Sequence, residues 1–411
     1  MAEQLQRWTF VLSIIGYPVA GLISTAFDIG NSNISIALRV AVAALSLGGV
    51  LSALRFKVRI RIDAWLVLFL ALYLFRLLAD LSRADLPTTG DDLLAYVVIT
   101  LPPVICVMSL GGQWNDRTAA RAMFILGAAA CLGALVLELT GLAGSQSHTA
   151  ETSRLRFDKV NPITFGHLGV STLLAALASW SGSRDWRRLT FILLGCVPAI
   201  AVLILANSRS PYVSLAVAIG AFLLMRGRWA LFASLVVGGV VLVLGGNILA
   251  LLSGSRLTDF ADESAIERLV MQRYAGQQFI DHPLLGSAHL ELYSQMYPHN
   301  LFYESAMSMG VVGLALFTII SATAIWRSIW AMRSGGVLAA LMFWQAFVLG
   351  QLSSNIFGNA ALFSVMALLI YIGRRPPRRV GSPARPSRWS AVLKRGSDPG
   401  RRPPAAFGPP P

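Results

Sequence analysis

The stretch LFYESAMSMGVVGLALFTIISATAIW, residues 301–326, decides the class of this protein. It holds a single charged side chain, Glu304. A helix needs about 20 predominantly apolar residues to cross a hydrocarbon core about 30 Å thick. The stretch is therefore long enough and apolar enough to be a transmembrane helix.

The whole chain, like this stretch, is rich in hydrophobic residues and poor in charged ones. Of its 411 residues, 55% are hydrophobic and 13% are charged, and the mean hydropathy is +0.64, which excludes a soluble globular domain. We predict an all-α polytopic membrane protein, because the alternating ten-residue segments of a membrane β-barrel are absent. About twelve transmembrane helices are expected, near residues 9–27, 35–54, 64–80, 94–111, 119–140, 161–181, 189–206, 211–225, 229–252, 301–326, 336–352 and 359–373.

The basic residues predict the orientation of this bundle. Most of the 34 Lys and Arg residues fall in segments that are cytoplasmic if both termini lie inside, as the positive-inside rule requires. The net charge of +14 is then explained by the basic residues in the cytoplasmic loops. We expect no nucleic-acid partner, because these residues are spread over several short loops. Residues 1–373 form the bundle, with a long outer loop over 253–300. The Pro- and Arg-rich tail, 374–411, is expected to be disordered and cytoplasmic, with its arginines near membrane lipids.

The tight connection LANSRSPYVSL, residues 205–215, places an arginine at the outer end of a helix. Ser210 is the expected N-cap and Pro211 fits the first helical position, so Arg209 and Ser208 stand at the helix N-terminus. An arginine adds to the positive end of the helix dipole, which favours a bound anion. The alternative is an interfacial arginine that reaches lipid headgroups.

The outer loop contains a second candidate arginine. In ESAIERLVMQRYAGQQFID, residues 263–281, an apolar stripe at helical spacing predicts an amphipathic helix on the outer membrane surface. Arg268 falls off that stripe. Its alternative role is a solvated salt bridge with an acidic neighbour, which would contribute little to stability.

His299 and Asn300 come directly before the apolar stretch, at the N-terminus of its helix. Gly310 and Gly313 are expected to let a neighbouring helix approach and so fix the histidine's position. We predict that Arg209, Arg268 and His299 meet at the outer face. The arginines would hold a diphosphate, and a neutral histidine could accept a proton from a hydroxyl.

Other patterns remain open at this point. The spacings of His282, His289 and His299 match no common metal-ligand pattern, and no metal site is predicted. Arg76 and Asp80, four residues apart, are expected to pair with each other, with a lesser chance that Arg76 faces the diphosphate. A secondary transporter is the alternative function, because the double proline at 102–103 should break a helix near its centre.

Three segments resemble the bacterial O-antigen ligase and O-antigen polymerase family of membrane glycosyltransferases. His299-Asn300 followed by Gly310 and Gly313 is similar to the family's H-N-x9-G-x-x-G signature, NSRSP resembles its arginine segment at a helix start, and RLVMQRYAGQQFIDHPLLG resembles its arginine-bearing outer helix. The likeness covers roughly residues 190 to 325. Gln272 and Leu285 depart from the family, which usually has aromatic residues there.

The resemblance implies a reaction at the periplasmic face of the bacterial inner membrane, without a metal or nucleotide cofactor. A glycan leaves undecaprenyl diphosphate for an acceptor hydroxyl, with inversion at the anomeric carbon. Arg209 and Arg268 carry over as diphosphate ligands and His299 as the base, and the expected substrate-binding residues are Asn300, Ser208, Ser210, Tyr297 and Arg273. The acceptor is lipid A core in a ligase, a glycan repeat in a polymerase or a protein hydroxyl, and the ligase is preferred by analogy.

Overall fold

The computed structural model describes residues 2–27, 31–55, 63–109, 114–141, 161–180, 186–229, 231 and 263–373. The secondary structure in these ranges is helical and contains no strand. The helices are α1 Ala2–Ala26, α2 Asn31–Arg55, α3 Ala64–Asp80, α4 Thr89–Ala95, a π-helical turn Tyr96–Thr100, α5 Leu101–Met108, α6 Asp116–Leu139, α7 Pro162–Trp180, α8 Trp186–Leu205, α9 Arg209–Met225, α10 Glu263–Asp281, α11 Leu301–Ser334, α12 Val337–Leu352 and α13 Ala360–Gly373.

The described helices have the length and composition of a membrane protein. Five are long and apolar enough to cross a membrane, namely Glu3–Ala26, Thr89–Met108, Asp116–Leu139, Pro162–Trp180 and Leu301–Ser334. Shorter apolar helices add to them, including α8, α9, α12 and α13. The predicted all-α membrane class is confirmed, while the count of twelve and the orientation stay predictions. The predicted helix near 229–252 and the tail after 373 fall almost wholly outside the described residues.

The double proline does not end its helix. Proline removes a backbone donor and its ring crowds the carbonyl four residues earlier. Here the wider π-helical turn Tyr96–Thr100 comes directly before the two prolines, and α5 continues through them. The side chain of Thr100 donates to the Phe357 carbonyl at 2.6 Å, which holds this turn against the chain just before α13. The expected break is therefore a local π distortion.

Aromatic side chains pack α11 into the centre of the bundle. The ring of Phe317 on α11 lies 5.5 Å from that of Phe69 on α3, and Phe69 lies 5.8 Å from Phe363 on α13. All three side chains are completely buried. Such pairs add about 0.5–1.5 kcal/mol each beyond the area they bury. The helix that begins after His299 is thus fixed on several sides.

α11 is broken at Gly310, where φ is 64° and ψ is −156°. This backbone conformation is essentially restricted to glycine. A Cβ atom on Gly310 would lie 2.3 Å from the Leu284 carbonyl carbon, so a loop and not a helix occupies the break. The Val311 amide donates to the Pro283 carbonyl at 2.7 Å, and the Ser287 amide donates to the Met307 carbonyl at 3.0 Å.

We expected a neighbouring helix to approach Gly310 and Gly313, and this prediction is wrong about what packs there. Gly310 admits the backbone of residues 283–287, and the position of a Cβ on Gly313 would meet Met309 and the Ser305 carbonyl of the same helix. The atoms nearest to these two Cβ positions belong to the loop and to α11 itself, not to a neighbouring helix. Gly310 still helps to fix the histidine region, because the loop that precedes His299 packs against α11 at this residue.

Candidate functional site

His299 is held at the start of α11 by its local backbone. Its φ is 55°, in the left-handed region that non-glycine residues seldom adopt. The next residue, Asn300, is the N-cap, and its Oδ1 accepts hydrogen bonds from the amides of Phe302 at 3.0 Å and Tyr303 at 3.4 Å. The His-Asn pair therefore combines a turn and a cap. The predicted supporting role of Asn300 has this physical basis.

An aromatic pair packs on one side of the imidazole. The Tyr297 ring lies edge-on at 4.5 Å from the His299 ring, and Phe357 lies 6.1 Å from Tyr297. His299 is half-buried, and its Nδ1 is buried without a hydrogen-bond partner in the described structure. A buried polar atom without a partner is costly, and such atoms are frequent at functional sites.

The charge of Arg268 acts on His299, which places the two side chains near each other. Burial and, to a smaller extent, the positive charge of Arg268 together lower the pKa of His299 from its usual 6.5 to about 4. The pKa of Tyr297 is raised by burial and by Glu304, while a hydrogen bond to Asn355 and the charge of Arg268 oppose this. Two of the three predicted catalytic residues are thus close in space, and His299 is neutral at neutral pH.

The helix that carries Arg268 is amphipathic, as predicted. Its inner face buries Met271, Ala275 and Gln278. The apolar stripe predicted from the sequence is exposed on the other side, at Ile266, Leu269, Val270 and Tyr274. Contact of this stripe with the membrane surface stays a prediction.

Gln272 links this helix to the histidine loop. Its side-chain nitrogen lies 3.5 Å from the carbonyl of Pro298, the residue before His299. Gln272 is also a position at which the sequence departs from the family pattern. In this chain a polar contact fixes α10 beside the histidine where the family usually has an aromatic side chain. Arg273, the next residue, is exposed.

Arg209 is the first residue of α9, and Ser208 is its N-cap. The expectation that Ser210 is the cap is wrong by two residues. The Ser210 hydroxyl instead lies 3.3 Å from His167 Nε2, and Ser208 and Ser210 are both buried. The α9 N-terminus is thereby fixed to α7. A substrate-binding role for either serine stays a prediction.

One helix, α12, supports the N-termini of both α9 and α11. The Gln345 side chain on α12 donates to the His167 carbonyl at 2.9 Å, and His167 contacts Ser210 beside Arg209. Five residues further along α12, a Cβ on Gly350 would lie 2.7 Å from the side chain of Leu301, the first residue of α11. A single pocket that joins Arg209 to Arg268 and His299 stays a prediction, supported by this shared contact.

A family model described as O-Antigen ligase matches residues 194–318. The resemblance to the O-antigen ligase family is confirmed over this segment. The match spans α9, α10 and the first half of α11, and it includes Arg209, Arg268 and His299. Its boundaries agree with the similarity expected from residues 190 to 325. A search of curated proteins found no match for the chain.

The segment that matches the family model contains a buried carboxylate, which the sequence shows only as an isolated charge in an apolar stretch. Glu304, the one charge in the opening stretch, is completely buried one turn after Asn300. Its carboxylate accepts a hydrogen bond from the Tyr73 hydroxyl at 2.8 Å and from the Ile356 amide at 3.0 Å. Glu304 therefore braces the start of α11 against α3 and against the chain before α13. Its partners lie 231 and 52 residues away, so no local pattern reveals them.

A second network holds the loop before His299. His289 is completely buried, with Nδ1 3.0 Å from Asp80 and Nε2 3.1 Å from Asp92. Burial alone would lower the pKa of His289, but the hydrogen bonds to Asp80 and Asp92 raise it above its usual 6.5. Among the described residues, no group of three or more His, Cys, Asp or Glu side chains could hold a metal ion.

Arg76 clamps the same loop. It pairs with Asp80 at 3.5 Å, which confirms the predicted ion pair. Its guanidinium also donates to the carbonyls of Leu285 at 2.7 Å and Ser287 at 3.1 Å. These contacts occupy Arg76 with the backbone that enters the break in α11. The sequence predicted the ion pair from its four-residue spacing but gave no sign of the distant loop.

Proposed function

We propose that this chain transfers a glycan from undecaprenyl diphosphate to an acceptor hydroxyl at the periplasmic face of the inner membrane. The observation that carries the proposal is the neutral His299 beside the positive charge of Arg268, at a helix start inside the O-antigen ligase match. The acceptor we favour is lipid A core. Two alternative reactions, O-antigen polymerisation and protein glycosylation, would use the same donor. The test below distinguishes them from ligation.

The donor's diphosphate is the anion that the arginines would bind. Arg268 and Arg209 can each offer a guanidinium fork to phosphate oxygens. The first amides of α9 have no partners within their helix, and the helix dipole is positive there. Together these groups can offset the charge that develops on the leaving diphosphate, and the proposed reaction needs no metal ion.

The chemical step is a direct displacement. The acceptor oxygen forms a bond to the anomeric carbon as the bond from that carbon to the phosphate oxygen breaks. The undecaprenyl diphosphate leaves with the bonding electron pair, and His299 takes the proton of the acceptor hydroxyl. Inversion at the anomeric carbon follows, because attack and departure occur on opposite sides of the sugar ring.

The donor also prepares the base. In the free protein, Arg268 helps to hold the pKa of His299 at about 4, so the imidazole is neutral but weakly basic. A bound diphosphate would neutralise the charge of Arg268 and place negative charge near the imidazole. Both effects raise the pKa of His299 toward the working pH, where proton transfer is more effective.

Complementation tests this proposal. The chain is expressed in strains that lack either the O-antigen ligase or the O-antigen polymerase, and the lipopolysaccharide ladders are compared. Rescue of the ligase-deficient strain is expected, with loss of rescue for His299→Ala, Arg209→Ala and Arg268→Ala. The exposed His282, seventeen residues before His299 in the same loop, supplies the matched control His282→Ala. Rescue of the polymerase-deficient strain alone would reassign the acceptor, and rescue of neither strain would contradict the proposal.

The secondary transporter is disfavoured by the break in α11. Transporters use the free backbone groups of broken helices to bind ions and substrates. Here the loop takes those groups, through the bonds of Val311 to Pro283 and of Ser287 to Met307. The break therefore anchors a loop and leaves these amides and carbonyls occupied.

A further inference from the structure

A cavity of about 440 Å³ lies beside the candidate site, between α1, α2, α4 with its π-helical turn, and the start of α13. Its volume falls within the range of about 300–1,000 Å³ that small-molecule sites occupy. Phe357 forms part of its wall and contacts the Tyr297 ring, which in turn contacts His299. Two aromatic rings therefore connect the cavity to the proposed base.

The cavity is polar at one end of α4 and apolar further along. Asp91 and Asp92 lie in the first turn of α4, and Ala95 and Ile99 line the wall beyond them. At 1.5 Å per residue, the lining changes from carboxylate to aliphatic over about 10 Å. Arg39 and Tyr17 also line the cavity, and the Arg39 guanidinium lies 6.0 Å from the centre of the Tyr17 ring. This arrangement suits an amphipathic ligand.

Asp92 is held in a fixed orientation at the polar end. Its Oδ2 lies 3.1 Å from His289 Nε2 and accepts a hydrogen bond from the Thr88 hydroxyl at 3.3 Å. His289 is itself fixed by Asp80, which lies 3.0 Å from its Nδ1 and accepts from its backbone amide at 2.8 Å. The hydrogen bonds described for Asp92 all involve Oδ2, and the same residue lines the cavity.

We propose that this cavity is the acceptor subsite and that its ligand is a membrane-anchored glycolipid. Sugar hydroxyls would donate to the carboxylates of Asp91 and Asp92, and the Arg39 guanidinium would donate to sugar or phosphate oxygens. The apolar wall near Ile99 would receive lipid. Asp92 binds substrate, whereas His289 is a positioning residue that acts through Asp92. This inference rests on the proposed function.

A single substitution that fills the cavity can test this proposal. Ala95→Trp fills the cavity, whereas Leu94→Trp adds the same side chain at the neighbouring position, which is 62% exposed and does not line the cavity. Asp92→Asn removes the proposed hydroxyl acceptor charge and changes little volume. These three variants separate a filled cavity from a general effect of tryptophan on α4.

Glycan transfer is then measured with the full-length chain in nanodiscs, with the lipid-linked glycan as donor. The acceptors tested are lipid A core from a ligase-deficient strain, the lipid-linked repeat and a soluble hydroxyl-bearing peptide. For a lipid acceptor, Ala95→Trp and Asp92→Asn are expected to raise the acceptor KM about tenfold, with the donor KM within about twofold of wild type. Leu94→Trp should match wild type in both constants.

The outcomes separate the subsite from the proposed function. Wild-type acceptor KM in Ala95→Trp and Asp92→Asn, with transfer intact, overturns the subsite and leaves the proposed function in place. Transfer to the soluble peptide alone overturns the lipid character of the ligand. An absence of transfer by the wild-type chain to every acceptor overturns the proposed function and the subsite with it. An equal rise in both KM values would indicate a general structural effect and would also contradict the assignment.

Discussion

Gly310 and Leu284 are in backbone contact: a Cβ on Gly310 would lie 2.3 Å from both the carbonyl carbon and the carbonyl oxygen of Leu284. This contact joins the broken helix to the loop that leads to His299. The loop is also tied to α3 through Arg76 and to α4 through His289. The histidine is therefore positioned by three distant parts of the chain.

We expect Gly310→Ala to destabilise the protein strongly. The added methyl group would overlap the Leu284 backbone, and the backbone conformation at φ 64° is strained for any residue with a Cβ atom. The free energy of unfolding should fall by more than about 2 kcal/mol. The thermal unfolding midpoint in detergent measures this. Gly133→Ala is the control, because a Cβ there meets nothing within 4 Å and alanine favours a helix.

The pH profile of transfer should show a limiting base with a low pKa. His299 must be neutral to accept a proton, and its pKa is about 4. Activity expressed as kcat/KM should therefore stay constant as the pH falls through 6.5 and decline only near pH 4, because this constant reports the free enzyme. A decline centred near pH 6.5 would show that His299 is not buried beside a positive charge, or is not the base.

Arg268→Gln should shift this acid limb to higher pH as well as slow transfer. Removal of the guanidinium removes one of the two causes of the depressed pKa of His299, and burial remains. Arg273→Gln, on the same helix but exposed, tests the spacing that selects Arg268. An unchanged acid limb in Arg268→Gln, or a larger loss of rate in Arg273→Gln, would argue against the assignment of Arg268.

Glu304 should matter through its two distant hydrogen bonds. Glu304→Leu leaves the buried Ile356 amide and Tyr73 hydroxyl without their acceptor, at a cost of about 1–3 kcal/mol for each unpaired group. Tyr73→Phe removes one bond alone and should cost less. Tyr303→Phe, at an exposed position on the same helix, is the control. Stability measured by thermal unfolding should rank Tyr303→Phe, Tyr73→Phe and Glu304→Leu in order of increasing loss.

His289 should make stability depend on pH. Its pKa is raised above 6.5 in the folded chain, so its contribution is fully present below pH 6.5 and is lost as the pH rises through the folded pKa. The difference in thermal midpoint between wild type and His289→Gln should therefore shrink as the pH rises above 6.5. The exposed His282→Gln should give no such trend. If the difference in thermal midpoint instead grew with pH, the result would contradict the hydrogen bonds of His289 to Asp80 and Asp92.

The sequence predicts much of this fold because apolar length is a local property. The helices 64–80 and 336–352 were expected within a residue of α3 and α12. The start of α9 was missed by two residues, since Ser208 and Ser210 are equally good caps by composition. The partners of Gly310, Glu304 and His289 could not be predicted, because Asp80 and His289 are 209 residues apart and their pairing depends on tertiary structure.

For the site, the sequence predicts that helices begin close to Arg209 and His299, because caps, prolines and polar residues differ clearly from the apolar runs that follow them. The proximity of Arg268 to His299 needed the family resemblance, since the exposed stripe of α10 shows which face is apolar but not what its inner face meets. Gln272 illustrates the limit: the sequence marks it only as a departure, whereas the structure places it next to the Pro298 carbonyl.

An electron cryomicroscopy structure of the chain with undecaprenyl diphosphate tests the central claim most directly. The account predicts the diphosphate between the guanidinium groups of Arg209 and Arg268, with the His299 imidazole on the side of the terminal phosphate, which carries the sugar in the donor. A diphosphate bound elsewhere in the bundle, or Arg209 separated from the other two side chains by packed protein, would contradict it.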